Sequence, residues 1–181
     1  MINKYYSNKE LFCRVIWYIV YSILFRTSPR LFYSWRNLIL KFFGAKIGKN
    51  VKIFPSVRIS YPWLIEIGNN VVIAWNVQIY NLGIIKIGDN TIISQNVHLC
   101  GGTHNYESRK FELIRAKIEI GKFVWIAADA FIGPNVIVGD YSILSARSVL
   151  MKSIENNSIY GGNHAKFIKK CRESWVKIDI Y

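Results

Sequence analysis

Two side chains in the middle of the chain are suited to chemistry: His104 and, four residues before it, Cys100. A histidine with an ordinary pKa near ~6.5 can accept a proton at neutral pH. A cysteine beside a histidine can also act as a nucleophile. Both lie in the polar segment 100–110, which separates two runs of a repeat, and we interpret this segment as a functional loop. The competing interpretation of His104 is an ordinary surface histidine.

The repeat begins with a similar phrase three times, at intervals of twenty residues: Ile47-Gly48-Lys49-Asn50, Ile67-Gly68-Asn69-Asn70 and Ile87-Gly88-Asp89-Asn90. A fourth start, Ile120-Gly121, comes 33 residues after the third, so this interval holds 13 extra residues. They fall in 100–110 and just beyond. Loops on rigid scaffolds commonly hold binding and catalytic residues, which supports a functional role for the insertion.

Aliphatic residues recur at every sixth position of the repeat. Ile, Leu or Val occupies all 15 positions of this lattice: 47, 53, 59, 67, 73, 79, 87, 93, 99, 120, 126, 132, 138, 144 and 150. A helix would need spacings of three and four, and a single strand would need strict alternation. A spacing of six instead predicts coils of three short strands around a narrow prism, with Gly, Asn and Asp at its corners. We expect about five coils, at 47–66, 67–86, 87–119, 120–137 and 138–155.

The segment before the repeat is predicted to form two helices. The first, Leu11 to Phe25, has a single polar stripe of Arg14, Tyr18, Ser22 and Arg26, and it is shorter than the roughly 20 residues that span a membrane. The second is predicted from an N-cap at Ser28 to Gly44, with an apolar face formed by Leu31, Trp35, Leu38 and Phe42. The helices either cap the open strand edges of the prism or dock on an anionic membrane surface, and one helix could do both.

Composition restricts the class of protein. The chain of 181 residues is long enough for one domain with a hydrophobic core, and its 51% hydrophobic content excludes a disordered chain. Its formal net charge of +13 suits phosphate-bearing ligands, nucleic acid or an anionic membrane, but no nucleic-acid-binding motif accompanies the charge. Three widely spaced cysteines argue against a disulfide framework and a cysteine zinc site. We therefore expect a cytoplasmic protein without a nucleic-acid partner.

Several phrases resemble those of one superfamily. They are Tyr80-Asn81-Leu82-Gly83, Ile93-Ser94-Gln95, Leu99-Cys100-Gly101-Gly102-Thr103-His104, Val124-Trp125-Ile126, Ala146-Arg147-Ser148-Val149 and Gly161-Gly162-Asn163-His164-Ala165-Lys166. With the lattice, they make the chain similar to the hexapeptide-repeat acyltransferases, and within these to the sugar O-acetyltransferases of colanic-acid and capsular polysaccharide synthesis. The resemblance implies an all-β fold, a left-handed parallel β-helix of about five coils. Its expected parts are a helical segment in 1–45, the β-helix in 46–160 with a loop at 100–117, and a short C-terminal helix and tail in 161–181.

The resemblance also implies a reaction. His104 corresponds to a general base that removes the proton of an acceptor hydroxyl while acetyl-CoA is bound, so that the acetyl group is transferred directly, without a metal. Asn76 corresponds to a residue near the acceptor, where we also place Asn105 and Glu107. Asn105 stands where many relatives have aspartate, so we expect Glu107 to orient the histidine.

Binding of acetyl-CoA is implied for a second group of residues. Trp125 corresponds to a tryptophan beside the thioester arm, and Ala128, Ala146, Met151 and Lys152 correspond to positions that line this arm. Lys166 and Lys169 correspond to basic positions near the CoA phosphates, in a helix beginning near Ala165. His164 replaces the proline that the family usually has before that helix.

Further implications concern the assembly and the alternatives. The superfamily packs its prisms into homotrimers, and the acceptor is expected to be a sugar or a lipid-linked glycan. Transfer to an amino sugar and a non-catalytic interaction module are the alternatives that remain open. A γ-type carbonic anhydrase would need three histidines converging on zinc, and His98, His104 and His164 lack the close ligand spacing of that family. We expect His98 to be structural or to lie on the acceptor side.

Overall fold

The computed structural model describes residues 6–171, most of which form a parallel β-helix with three faces. Face 1 consists of β1 (Lys46–Ile47), β4 (Ile65–Ile67), β7 (Ile85–Ile87), β12 (Ile118–Ile120) and β15 (Ile137–Val138). Face 2 consists of β2 (Lys52–Ile53), β5 (Val72–Ile73), β8 (Ile92–Ile93), β13 (Trp125–Ile126), β16 (Ile143–Leu144), β18 (Ser158–Gly161) and β19 (Lys166–Lys170). Face 3 consists of β3 (Arg58–Ile59), β6 (Gln78–Tyr80), β9 (His98–Cys100), β14 (Phe131–Ile132) and β17 (Val149–Leu150).

The register of the strands confirms the predicted coils. Ile47 pairs with Ile67, Ile87 pairs with Ile120 across the insertion, and Ile120 pairs with Val138. Beyond the fifth coil, Ile154 bridges to Val138, and β18 pairs with β16. The prism therefore has five full coils and the beginning of a sixth.

The interior contains a second set of inward side chains in addition to the lattice residues. All 15 lattice residues are at most 9% exposed. The residue two positions before each lattice residue also points inward and is mostly small or β-branched, as with Val71, Thr91 and Ser142, which are each 0% exposed. A strand's side chains alternate between faces, so these two positions share the inner side. Each short strand and the residue before it thus contribute two inward side chains to a continuous core, and on face 1 both can be isoleucine, as with Ile65 and Ile67.

The corners are formed by residues with left-handed backbone conformations. Corner 1/2, between faces 1 and 2, has Asn50, Asn70, Asn90, Phe123, Tyr141 and Asn157 at positive φ, and corner 2/3 has Asn76, Asn96, Asp129 and Arg147. Asparagine and aspartate tolerate this region better than other non-glycine residues, which explains their recurrence. The Asn50 and Asn70 amides also donate to Asn70 and Asn90 of the next coils, at 3.1 and 3.0 Å.

Two N-terminal helices cover the first coil. They are α1 (Asn8–Val20), continued by a π-helical turn (Tyr21–Phe25), and α2 (Tyr33–Phe42). The Trp17 indole donates to the carbonyl of Ile59, and the Arg36 Nε donates to the carbonyl of Ile53, both at 2.7 Å. Both carbonyls belong to the first coil. No earlier coil donates hydrogen bonds to them, so they need other donors. The contacts confirm the capping interpretation.

The structure corrects three details of the helical predictions. Helix α2 begins at Tyr33 rather than after Ser28, whose hydroxyl instead accepts a hydrogen bond from Arg36 at 2.8 Å. The predicted apolar face, Leu31, Trp35, Leu38 and Phe42, is exposed, while Arg36, Ile39 and Leu40 are buried. The segment Lys166–Lys170 is strand β19, antiparallel to β18, and not the predicted helix.

Residues 172–181 of the predicted C-terminal part lie outside the described residues. No helix in 6–171 combines the length and hydropathy of a membrane-spanning segment.

Arg36 is the first test of this account, because its guanidinium is fully buried and donates to three backbone carbonyls, those of Ile53, Pro29 and Arg30. Arg36→Met keeps the length of the side chain and removes every donor. We expect it to lower the free energy of unfolding by about 3 kcal/mol, because the buried Ile53 carbonyl and the part-buried carbonyls of Pro29 and Arg30 lose their donor. Denaturant unfolding measures this, with the exposed Lys41→Met in the same helix as the control. Equal stability of the two variants would contradict the assignment.

Candidate active site

The predicted functional loop is an ordered antiparallel hairpin. Strand β10 (Gly102–His104) pairs with β11 (Leu113–Arg115), and His104 lies opposite Leu113. The chain leaves and rejoins the prism at corner 3/1, between faces 3 and 1, where the Ala116 amide donates to the Gly101 carbonyl at 3.0 Å. A Cβ at Gly101 would lie 2.9 Å from the Ala116 carbonyl oxygen, so glycine is needed at this close approach.

The hairpin holds the His104 ring in one orientation. Its Nδ1 lies 3.0 Å from the backbone carbonyl oxygen of Phe111, and its ring stacks on the Phe111 ring with centroids 4.4 Å apart and planes 8° apart. A carbonyl can only accept a hydrogen bond, so Nδ1 must be the protonated nitrogen. Nε2 of the neutral imidazole then carries the lone pair. Since the side chain is exposed, this nitrogen is accessible to a proton donor outside the chain.

The turn of the hairpin contains the two predicted neighbours of His104. The Asn105 side-chain oxygen accepts a hydrogen bond of 3.3 Å from the Glu107 amide, and both residues are exposed. The expected contact between Glu107 and the histidine is not what the structure contains, because the partner of Nδ1 is the carbonyl of Phe111. The hairpin backbone thus takes the orienting role expected of a carboxylate.

Cys100 lies at the base of the hairpin, in β9. Its thiol is half-buried and lies 3.4 Å from the Gly102 carbonyl oxygen, to which it donates. A hydrogen bond to a backbone carbonyl is a contact that a small packing residue can make. The local environment therefore favours a packing role for Cys100.

Face 2 positions Trp125 and the basic residues of the last strand. The Trp125 side chain is half-exposed, and its indole nitrogen donates to the Ser94 hydroxyl at 2.9 Å in the neighbouring coil. Lys166 and Lys169 lie on β19, which is three strands from β13 in the same sheet. With strands about 4.8 Å apart, the separation of these strands is roughly 14 Å. The face can therefore present an aromatic surface at one point and positive charge at another.

Three other predicted residues form part of corner 2/3. Asn76, Ala128 and Ala146 belong to the second, fourth and fifth coils, where backbone hydrogen bonds stack the corner: Asp129 N donates to Gln95 O, and Arg147 N to Ala128 O, at 3.0 and 2.9 Å. Asn76 itself adopts φ 58°, and its backbone amide donates to the Ser56 hydroxyl at 2.9 Å. Ala128 is half-buried and Ala146 is exposed, so each presents only a methyl group at this corner.

The structure separates the predicted residues into two groups. Met151 and Lys152 follow β17 at corner 3/1, the corner from which the His104 hairpin leaves, and Met151 lies over Gly133. Asn76, Ala128 and Ala146 lie at corner 2/3, and Trp125 lies on the face that leads to it. One chain therefore presents the histidine and the second group at different corners of the prism.

Three residues near these groups were assigned no role from the sequence: Ser94, Phe111 and Arg147. Ser94 and Arg147 lie in phrases that carried the resemblance, and their positions beside Trp125 and Ala146 follow from the stacking of coils. Arg147 is exposed and approaches Asp129 at 3.8 Å. No signal in the sequence indicated Phe111, except that it is an aromatic residue in a polar segment.

The other histidines differ from His104 in their surroundings. His98 packs edge-on against Phe131 with ring centroids 5.3 Å apart, and burial lowers its pKa below the ordinary value. Among residues 6–171, no three His, Cys, Asp or Glu side chains are grouped as metal ligands would be. His98 is thus half-buried and packed against Phe131, and its structural or acceptor-side role stays a prediction.

Comparison with known proteins identifies the family. Residues 117–152 match the model of the bacterial transferase hexapeptide, which covers six repeats. The putative colanic acid biosynthesis acetyltransferase WcaF of Escherichia coli K12 is 41% identical over 155 residues, which are 86% of this chain and 85% of that protein. The chain belongs to the hexapeptide-repeat acyltransferases.

Solved structures agree with this membership. A galactoside acetyltransferase in complex with coenzyme A is 29% identical, with a TM-score of 0.84 over 93% of this chain and 85% of that one. The hexapeptide-repeat acetyltransferase VCA0836 of Vibrio cholerae, at 22% identity, shares the fold with a TM-score of 0.85 over 92% and 95% of the two chains. The predicted left-handed parallel β-helix is thereby confirmed, and the chain is an enzyme of the acyltransferase class.

The half-buried His98 of this acyltransferase gives a prediction for pH dependence. Since its pKa is lowered, the folded protein binds this proton at lower pH than the unfolded chain does. The contribution of His98 to stability is therefore present above about pH 6.5 and is lost as the pH falls through the lowered pKa. We expect the His98 imidazole to titrate below pH ~6.5 by NMR and His98→Gln to weaken the loss of stability in acid. An imidazole midpoint at or above pH ~6.5 would contradict this.

Proposed function

We propose that this enzyme transfers an acetyl group from acetyl-CoA to a sugar hydroxyl, in the synthesis of a surface polysaccharide or a lipid-linked oligosaccharide. The observation that carries the proposal is the geometry of His104, whose Nδ1 is engaged by the Phe111 carbonyl so that Nε2 is available as a base. The names of the relatives support the choice of donor and acceptor class: one is a colanic acid biosynthesis acetyltransferase, and another is a galactoside acetyltransferase bound to coenzyme A.

His104 acts as the general base of the reaction. Its Nε2 accepts the proton of the acceptor hydroxyl as that oxygen attacks the thioester carbonyl, and the Nδ1–H bond to Phe111 helps to stabilise the imidazolium that forms. The imidazolium then returns the proton to the departing thiolate. Acetyl-CoA supplies the activated acyl group, so neither a metal nor a covalent acyl-enzyme is needed. Both substrates must occupy the site together.

The residues that would hold acetyl-CoA fit an extended, polyanionic ligand. Trp125 is fixed by Ser94 and offers a flat apolar surface for the pantetheine arm, while Ala128 and Ala146 leave room along corner 2/3. Lys166 and Lys169 are exposed on β19 and would attract the phosphates. Met151 and Lys152 at corner 3/1 would contribute from the side of the histidine.

The acceptor would contact Asn76, Asn105 and Glu107. These exposed amide and carboxylate groups suit the hydroxyls of a sugar, and Asn105 and Glu107 lie in the turn that adjoins His104. We place the reaction in the cytoplasm, where the N-terminal helices bring the enzyme to the inner face of the membrane if the acceptor is lipid-linked.

A homotrimer would complete the site. One prism presents His104 at corner 3/1 and the residues Trp125, Ala128 and Ala146 at or near corner 2/3. Within one chain, these two sets of residues therefore do not face each other. When three prisms pack side by side, the hairpin at corner 3/1 of one copy can face corner 2/3 of the next. The family's trimeric assembly makes this arrangement the natural one, with three sites between subunits.

His104→Ala should lower kcat by roughly 10²–10⁴, the usual effect of losing a positioned base. Cys100→Ala should retain most of the activity, because the thiol is a packing group. Initial rates measured against both substrates should give intersecting lines, as direct transfer requires. Parallel lines, an inactive Cys100→Ala enzyme and an acetylated Cys100 peptide would together establish the covalent route instead.

Mixed oligomers test whether the site lies between subunits. His104→Ala and Ala146→Trp should each inactivate the homotrimer, the first by removing the base and the second by filling the groove. Trimers assembled from the two chains in equal amounts should regain about a quarter of the native activity, because that fraction of interfaces pairs an intact histidine with an intact groove.

The control for this experiment is a mixture of His104→Ala with His104→Asn, which restores no interface. Differently tagged chains verify that mixing has occurred, and light scattering gives the mass. Mixed trimers without regained activity would place the whole site within one chain, and a fully active monomer would overturn the assembly itself.

A further inference from the structure

Helix α1 has an apolar surface directed away from the protein. Trp17 and Tyr21 pack inward against the first coil, whereas the opposite side carries Phe12, Ile19 and Ile23, which are 66%, 52% and 61% exposed. Leu31, Phe32 and Phe42 add further exposed apolar area on the following turn and helix. A surface helix in contact with water normally has polar residues on its outward side. We call Phe12, Val15, Ile19 and Ile23 the outer apolar face.

A basic groove adjoins this face. It has a volume of about 790 Å³ and lies between α1 and the third strand of the first coil, where Arg14, Arg26 and Arg58 line it. Tyr18 and Ser22 complete the stripe of polar residues that recurs every fourth position of the helix. Three guanidinium groups on one groove are suited to the oxygens of a phosphate.

A buried hydroxyl, that of Tyr21, borders the same groove. Tyr21 is 9% exposed, and its hydroxyl oxygen is shielded from solvent without a hydrogen bond of ordinary geometry. Burial raises the pKa of this hydroxyl, and the nearby Arg26 and Arg58 oppose the rise. The Tyr21 hydroxyl and the Arg26 and Arg58 guanidinium groups thus meet at one place in the groove, where all of them can donate hydrogen bonds to an anion.

The charge around the outer apolar face decides what can cover it. Residues 6–46 contain seven Lys and Arg and one acidic residue, Glu10, which forms an ion pair with Arg115 at 3.1 Å. Two copies docked through this face would bring two basic caps together and repel each other. An anionic bilayer instead complements the charge and accepts the apolar side chains.

We propose that the outer apolar face and the basic groove dock the enzyme on an anionic lipid bilayer, with a lipid phosphate bound in the groove. Phe12, Val15, Ile19 and Ile23 would enter the boundary between headgroups and acyl chains, while Arg14, Arg26 and Arg58 would bind the headgroup. This inference develops the proposed membrane contact and does not depend on acetyl transfer.

The docked orientation would bring the catalytic hairpin close to the lipid. The hairpin leaves the third coil, so it lies about two coil spacings, roughly 10 Å, along the prism from the first coil. The ion pair between Glu10 of α1 and Arg115 of β11 joins the docking helix to the hairpin directly. A glycan carried on a membrane lipid would therefore reach His104 without leaving the surface.

Sedimentation with vesicles tests the proposal. The assay contains neither CoA nor sugar, so its result does not depend on whether the enzyme transfers acetyl groups. The full-length protein should bind vesicles of phosphatidylcholine with one-third phosphatidylglycerol, bind pure phosphatidylcholine weakly, and lose binding as the salt concentration rises. Phe12→Glu/Ile19→Glu should abolish binding. Arg26→Glu should weaken it roughly 10-fold to 30-fold, because one charge near the lipid surface is reversed.

Two control variants match these substitutions. Ile137→Glu places a new charge on an exposed apolar residue of the fifth coil, at the far end of the prism from α1, and Lys122→Glu reverses an exposed charge at corner 1/2; both should bind vesicles as the unaltered protein does. Circular dichroism verifies that each variant is folded, and substitutions on an exposed helix surface should preserve the fold.

Three results would overturn the proposal. The first is unaltered vesicle binding by Phe12→Glu/Ile19→Glu, or no binding by the full-length protein. The second is a larger assembly in light scattering that Phe12→Glu/Ile19→Glu dissociates in the absence of lipid, since the face would then be an interface between copies. The third is Arg26-dependent thermal stabilisation by inorganic phosphate without vesicle binding, which would make the groove a site for a soluble anion.

Discussion

The width of the prism interior is the constraint on which the rest of the structure depends. On each face of each coil it is filled by one aliphatic lattice residue and a second inward residue two positions earlier, and these side chains are buried throughout the coils. Because the coils stack about 4.8 Å apart in register, a given position of the repeat lies directly above its counterpart in the next coil. Ala128 and Ala146 therefore align with each other along one corner, and Asn76, one repeat position further on, belongs to the adjacent row of Asn96, Asp129 and Arg147. A regular core converts sequence spacing into linear rows on the outside.

The core was predictable from the sequence because its rule is strict and local. All 15 lattice positions are aliphatic, and each one is buried. The C-terminal strand was not predictable in the same way, since Lys166–Lys170 contains no lattice residue and adopts its conformation by pairing with β18. The apolar face of α2 was assigned to the wrong side for a similar reason. The open edge of the first coil requires hydrogen-bond donors, and Arg36 supplies them better than Leu38 could.

The residues of the candidate site were proposed from phrases of the sequence, whereas their arrangement came from the structure. The phrase around His104 made it a candidate base, and the register of the hairpin then decided which atom orients its ring: opposition of His104 and Leu113 brings the Phe111 carbonyl to Nδ1. No spacing rule in the sequence specifies that contact. Whether two of the other site residues share a corner likewise depends on how many strands lie between them along the chain, since each coil has three. A single prism displays its side chains outward, so a substrate on its surface contacts protein on one side only. A second prism would supply contacts on the opposite side.

Strand β19 has a consequence for the growth of the solenoid. Parallel stacking has no intrinsic limit, since each coil offers the next the same row of backbone groups. Here the chain turns back after β18 and runs antiparallel along it, and the outer edge carries Lys166, Lys169 and Lys170. Charged residues on a terminal strand discourage the addition of another strand. At the opposite end, indole and guanidinium donors occupy the carbonyls that an incoming coil would need. The molecule is thus a segment of an otherwise extendable fibre, terminated chemically at both ends, which allows a sequence of high β content and repetitive pattern to remain a particle of defined size.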